Sequence, residues 1–119
     1  MRILAVDDSA AMRQMVEVTL TAAGYAVQKA ADGREAFALA QSQAFDLIIT
    51  DVNMPNMDGI ALVRGLRALP AYRFTPVLVL TTEGSSELKN EGRQAGATGW
   101  IMKPFNPERL LATVAKVLK

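Results

Sequence analysis

Residues 45–59 read FDLIITDVNMPNMDG, and the fold is decided in this stretch. Leu47-Ile48-Ile49-Thr50 is an apolar run without alternation, the pattern of a strand covered on both faces. It stops at Asp51. The residues after it carry turn chemistry: Pro55 fixes one φ angle, and Asp58 or Asn56 is suited to cap the next helix. A strand buried on both sides implies helices above and below it, and a carboxylate at its C-terminal end stands where α/β proteins place their chemistry. A lone Asp there is usually only a strand-end turn residue, so its meaning depends on what else reaches the same edge.

The pattern recurs on either side. Arg2 to Val6 (RILAV) is a short apolar run ending in Asp7-Asp8. From Ser9, the residues Met12, Met15/Val16, Thr19/Leu20 and Ala23 recur at helical spacing, and Gly24 closes the helix. Ala26 to Ala30 is a more polar strand, suited to a sheet edge. Asp32 caps a helix from Gly33 to about Gln41, with Ala36, Phe37 and Leu39/Ala40 inward. Gly59 to Ala68 is a third helix, stopped before Pro70, and residues 70–76 (PAYRFTP) read as a long loop. Val77 to Leu80 is a fully apolar strand ending in Thr81-Thr82. Ser85 to about Ala95 is a weak helix containing Gly92, the helix expected to move. Gly99 to Met102 is a short last strand before Lys103-Pro104. Asn106-Pro107-Glu108 then supplies a cap, a first-turn proline and an acid at the positive end of a closing helix, whose stripe is Leu110, Leu111, Val114, Val117 and Leu118. Five strands alternating with five helices predict one domain over residues 1–119, a parallel sheet with helices on both faces. The three most apolar strands belong inside and the second and fifth suit the edges, and the order 2-1-3-4-5 satisfies both conditions.

Composition removes many functions. Half of the 119 residues are hydrophobic, yet no apolar run reaches the roughly 18–20 residues of a membrane span. The first strand meets charge too early for a signal peptide, so a cytoplasmic location is expected. Cysteine is absent, which excludes disulfides, thiolate catalysis and zinc–sulfur sites. Histidine is absent too, which excludes a Ser-His-Asp triad, an imidazole base and a phosphohistidine on this chain. Thirteen basic against twelve acidic residues leave a net charge of +1, a poor footprint for nucleic acid. Carboxylates, hydroxyls, lysines and a metal remain.

All strand C-termini of a parallel sheet lie on one edge. Asp7, Asp8, Asp51, Thr81 and Lys103 follow four different strands and must converge where the strand order reverses. Taken singly, each is an ordinary cap, strand-end hydroxyl or surface lysine; jointly they are hard to explain so. Two unit charges about 4 Å apart cost roughly 4 kcal/mol at an effective dielectric near 20, so crowded carboxylates need a cation or a proton. Lys103 neutralises one charge, and an all-oxygen donor set favours Mg²⁺ over zinc for the rest. The chemistry that fits is transfer of a phosphoryl group onto a carboxylate, with Thr81 offering its hydroxyl to the new phosphoryl.

The motifs VDDS, DVNMPNMDG, LTTE and GATGWIMKPF, at these separations, resemble the receiver domain of two-component response regulators, and most of all the single-domain chemotaxis regulators of the CheY type. The resemblance covers essentially the whole chain. It implies a flavodoxin-like doubly wound fold, with Asp51 as phosphoacceptor from a phosphohistidine of a sensor histidine kinase. It further implies Mg²⁺ held by Asp8, Asp51 and the backbone carbonyl of Asn53, with Asp7 acting through water. Lys103 would pair with the phosphoryl group, Thr81 would move toward it, and Trp100 would change rotamer. The Lys103-Pro104 bond is expected to be cis. Two departures stand out. Trp100 replaces the more usual Tyr or Phe and is too bulky to bury fully, and Thr82 is larger than the residue common there and would hinder the attacking water. The implied protein is a phospho-switch with self-catalysed phosphotransfer and slow autodephosphorylation rather than an enzyme. It would be a monomer whose output is contact with a flagellar motor switch protein, with a phosphatase as a further partner and neither nucleic acid nor membrane.

Three other readings compete. A phosphate sink or phosphorelay intermediate would use the same site without a motor target. An aspartyl-nucleophile phosphatase needs a D-x-D motif after the first strand, which Asp7-Asp8-Ser9 lacks. A flavin carrier of the same fold needs a hydroxyl- and glycine-rich phosphate loop there, and two acids would repel its ligand's phosphate.

Overall fold

The computed structural model describes residues 1–82 and 85–118. Five strands, β1 (Arg2–Val6), β2 (Ala26–Ala30), β3 (Leu47–Asp51), β4 (Val77–Thr81) and β5 (Gly99–Met102), form one parallel sheet in the order β2-β1-β3-β4-β5. Between and after them run α1 (Ala10–Ala22), α2 (Gly33–Ser42), α3 (Gly59–Ala68), α4 (Ser86–Ala95) and α5 (Pro107–Val117). This is the predicted flavodoxin-like architecture and strand order. Among the described residues no helix is long and apolar enough to cross a membrane.

Side chains alternate across a strand, so each central strand feeds two cores. Leu4, Ile48, Val77 and Val79 meet Ala36 and Ala40 of α2 and Leu62, Val63 and Leu66 of α3 on one side. Ile3, Leu47, Ile49, Leu78 and Leu80 meet Val16 and Leu20 of α1 and Leu110 and Val114 of α5 on the other. That two-sided burial is why β3 and β4 read as unbroken apolar runs.

Helix ends follow their sequence signals. Ser9, Asp32, Asp58, Ser85 and Asn106 are N-caps, each accepting a backbone N–H from the first turn of its helix. Of the two candidates before α3, Asp58 is the cap; the Asn56 amide turns away from α3 and donates to Asp32. Gly24 follows α1 at φ 96° and Gly96 ends α4 at φ 110°, left-handed positions that glycine takes without strain. The inward stripe of α1 is narrower than its periodicity suggests: Val16 and Leu20 are buried, whereas Met15 is 50% exposed.

The segment 70–76 holds more structure than a loop. Pro70–Tyr72 forms a 3₁₀ turn that sinks the Tyr72 ring, leaving it 3% exposed. Its O–H is shared between the carbonyls of Ala40 and Gln43, each 2.7 Å away. Arg67, at the end of α3, donates to the carbonyls of Tyr72, Thr75 and Gly96. One guanidinium thereby ties this segment and the C-terminal end of α4 to α3.

Candidate functional site

The C-terminal edge of the sheet gathers the predicted residues. β1 runs into Asp7, whose N–H donates to the Ala30 carbonyl and so extends the β1–β2 pairing by one step. Asp7 is 3% exposed and its neighbour Asp8 is exposed. β3 delivers Asp51, 8% exposed, and β4 delivers Thr81, also buried. β5 leads into Lys103, whose backbone N–H donates to the Thr81 carbonyl at 2.8 Å. The Lys103-Pro104 peptide is cis, as the resemblance implied.

Lys103 is the centre of the cluster. Its Nζ lies 2.7 Å from Asp7 Oδ2 and 3.3 Å from Asp51 Oδ2, bridging acids that follow two neighbouring strands. The remaining oxygens are also committed: Asp7 Oδ1 accepts the Ser9 N–H, and Asp51 Oδ1 accepts the Val52 N–H at 2.8 Å. Arg13 of α1 donates to the Asp7 carbonyl at 2.6 Å and steadies that turn. One oxygen from each of Asp7, Asp8 and Asp51 falls within 4.8 Å of the others. Burial raises the Asp51 pKa above the usual 3.8, and the charge of Asp7 raises it further; Lys103 and the Val52 N–H pull the other way. For Lys103, burial alone would lower the pKa, but Asp7 and then Asp51 reverse this and hold the ammonium above 10.5.

Three carboxylates against one ammonium leave a net negative basin, with Asp8 on its open side. That donor set fits a hard divalent cation: oxygen ligands only, few of them, a set that water or a phosphate oxygen would complete. Asn53, two residues past Asp51, is exposed beside it in sequence, and Thr82 is exposed after Thr81. Trp100 is half-buried, as its bulk led one to expect, and pairs with Val79 across β4–β5. Its indole rests on α4 at Gly92, where an added Cβ would come 2.4 Å from Trp100 Cζ2.

Several contributors carried little or no signal in the sequence. Gly59 opens α3 directly against the end of β3: its N–H donates to the Val52 carbonyl, and a Cβ there would lie 2.0 Å from the Asp51 carbonyl oxygen. A glycine directly after a helix cap was the only hint of it. Gly92 as the seat for Trp100, and Arg13 beneath Asp7, had no local signature.

Comparison with known proteins agrees with this geometry. The family model for the response regulator receiver domain matches residues 3–115. The chemotaxis protein CheY-3 of Vibrio cholerae is 38% identical over 120 residues, covering 100% of this chain and 92% of its own. The structure of CheY4 from the same organism superposes with a TM-score of 0.95 at 59% identity, covering 98% of this chain and 97% of that one. A receiver domain of a sensor histidine kinase from Pseudomonas aeruginosa, described with a magnesium ion coordinated in its active-site cleft, has a TM-score of 0.92 at 30% identity, covering 98% and 96%. Other relatives are longer: this chain spans 13% of one and about half of several more. Strand order, acidic basin and bridging lysine coincide with a family match over nearly the full length, and the chain belongs to the response regulator receiver domains of two-component systems.

Proposed function

We propose that the chain is a phosphorylation-driven switch of the chemotaxis type, accepting its phosphoryl group on Asp51 from a phosphohistidine of a sensor kinase. The observation that carries this is the placement of Lys103 Nζ between Asp7 and Asp51, with Asp8 completing the basin. In the transfer an Asp51 oxygen forms the new bond to phosphorus while the phosphorus–nitrogen bond of the donor breaks and the imidazole leaves. Asp8, Asp51 and the Asn53 carbonyl would hold Mg²⁺, with Asp7 reaching it through water. Bound there, it would neutralise charge on the phosphoryl oxygens and make a further anion beside the three carboxylates tolerable. Lys103 turns from Asp51 to the incoming phosphoryl, and Asp7 keeps it oriented. Thr81 then offers its hydroxyl to the group.

Phosphorylation replaces the single charge of the Asp51 carboxylate with a phosphoryl group that carries nearly two and offers three acceptor oxygens. Thr81 follows the phosphoryl, and Trp100, seated between the sheet and α4, follows Thr81. The face of α4, β5 and α5 thereby changes what it binds. A shift from mostly off to mostly on needs about 5 kcal/mol of differential stabilisation, within reach of a charge-assisted network to a dianion. Likeness to the CheY proteins supports a flagellar motor switch protein as target, a phosphatase as antagonist, a monomer and a cytoplasmic location. The chain performs its own transfer and slow hydrolysis without turning over a substrate. The test is incubation with Mg²⁺ and acetyl phosphate followed by intact-mass spectrometry. One phosphoryl group is expected on the wild type and none with Asp51→Asn or with chelator; equal labelling of the variant would overturn the assignment.

A further inference from the structure

Between Asp51 and α3 the chain leaves the sheet edge and returns through residues 52–58, and this loop carries Asn53. Its outer half is fastened to the N-terminus of α2, an element outside the acidic basin. Asn56 Nδ2 donates to Asp32 Oδ2 at 2.8 Å, and the Gly33 N–H donates to the Met57 carbonyl at 3.2 Å. Both contacts require particular residues. Asn56 sits at φ 70°, a left-handed conformation that asparagine tolerates better than most side chains. At Gly33 a Cβ would lie 2.4 Å from the Met57 carbonyl oxygen, so only glycine lets the loop this close. Asp32 serves two partners: Oδ1 caps α2 through the Glu35 N–H at 2.8 Å, leaving Oδ2 for Asn56. The Glu35 N–H, and next the Asn56 amide, hold the Asp32 carboxyl below its ordinary 3.8, so it stays an acceptor at neutral pH. The outer half is tightened by the Met57 N–H on Pro55, and the base of the loop is closed by the Gly59 N–H on Val52, each 2.8 Å.

We infer that Asp32 and Asn56 are positioning residues, a latch that sets the Asn53 carbonyl and the backbone beside Asp51 before the metal arrives; this rests on the assignment of Asn53 as a ligand. A loop already ordered owes less entropy when the ion binds, and loss of such outer partners weakens metal sites. Asn56→Gly keeps the left-handed backbone and the net charge but removes the amide. The double variant Asp32→Asn with Asn56→Asp keeps the charge and the α2 cap and exchanges donor for acceptor.

The experiment titrates Mg²⁺ by calorimetry and, in metal-free protein, follows amide hydrogen exchange at Met57 and Gly59. Asn56→Gly is expected to weaken Mg²⁺ binding about three- to tenfold, the range of one modest hydrogen bond, and to speed exchange at both amides. The exchanged pair should recover both. Wild-type affinity and exchange in Asn56→Gly, or a double variant as impaired as the single one, would overturn the latch. A wild type that fails to bind Mg²⁺ would instead remove Asn53 as a ligand, and exchange at Met57 and Gly59 would still decide whether the two residues hold the loop.

Discussion

Asp51 is held where burial and the charge of Asp7 disfavour its ionised form, although the proposed phosphoryl transfer needs that form. Because its folded pKa is raised, the folded chain binds the proton more tightly than the unfolded one. Metal-free stability therefore declines as pH rises from about 3.8 through the folded value, and the deficit is complete above it. Asp51→Asn should melt above wild type at neutral pH without metal, with the difference vanishing below that window; thermal melts across pH check this, and a lower neutral melting point would contradict it. In the proposed function Thr82 governs the lifetime of the product. Thr82→Ala should shed the phosphoryl group faster in a mass-spectrometric time course, and an unchanged or slower loss would remove the steric role. The acids, Thr81 and Lys103 were legible because strand ends need only topology to be brought together. Gly59, Gly33 and Arg13 were not, because their worth lies in close approach between segments that no local pattern couples.

Among the elements, helices were legible through their caps, and strands through apolarity. The exceptions have physical causes. Met15 keeps helical period on α1 but falls outside the width that the sheet covers. Tyr72 lies in a segment of turn residues, so nothing local showed that its ring fills the space beneath α2. Tyr72→Phe strands two carbonyls and should cost about 1–3 kcal/mol, read as a shift in urea midpoint at constant slope. Burial also raises the Tyr72 pKa above 10.0, so the stability its neutral phenol contributes is lost as pH climbs past that value. Lys103 adds loss of the same sign above 10.5. The phenylalanine variant should keep the lysine's share of the alkaline decline and lack the tyrosine's; an unaltered alkaline profile would mean that Tyr72 does not ionise with unfolding.

For the molecule as a whole, apolarity separated the inner strands from the edge strands, because only strands packed on both faces can dispense with polar residues. The sequence set Lys103 against one of the crowded acids, and the structure shows it bridging two, Asp7 and Asp51. Mg²⁺ that binds only the folded chain should add about 2.7 kcal/mol at a hundredfold excess over its dissociation constant, reversed by chelator. Asp8→Asn, at an exposed position, should lose most of that increment while the metal-free fold stays at least as stable. A wild type indifferent to Mg²⁺ in the same melts would remove the metal from the mechanism. The guanidinium of Arg67 has a mechanical corollary. It anchors the Gly96 end of α4, so that helix is a lever with its fulcrum at the far rim from the acids. A helix of ten residues is about 15 Å long, and a displacement of about 1 Å at its opposite tip is a tilt of about 4°. In the proposed switch, small travel near Thr81 would become rotation of an outer surface about the anchored rim.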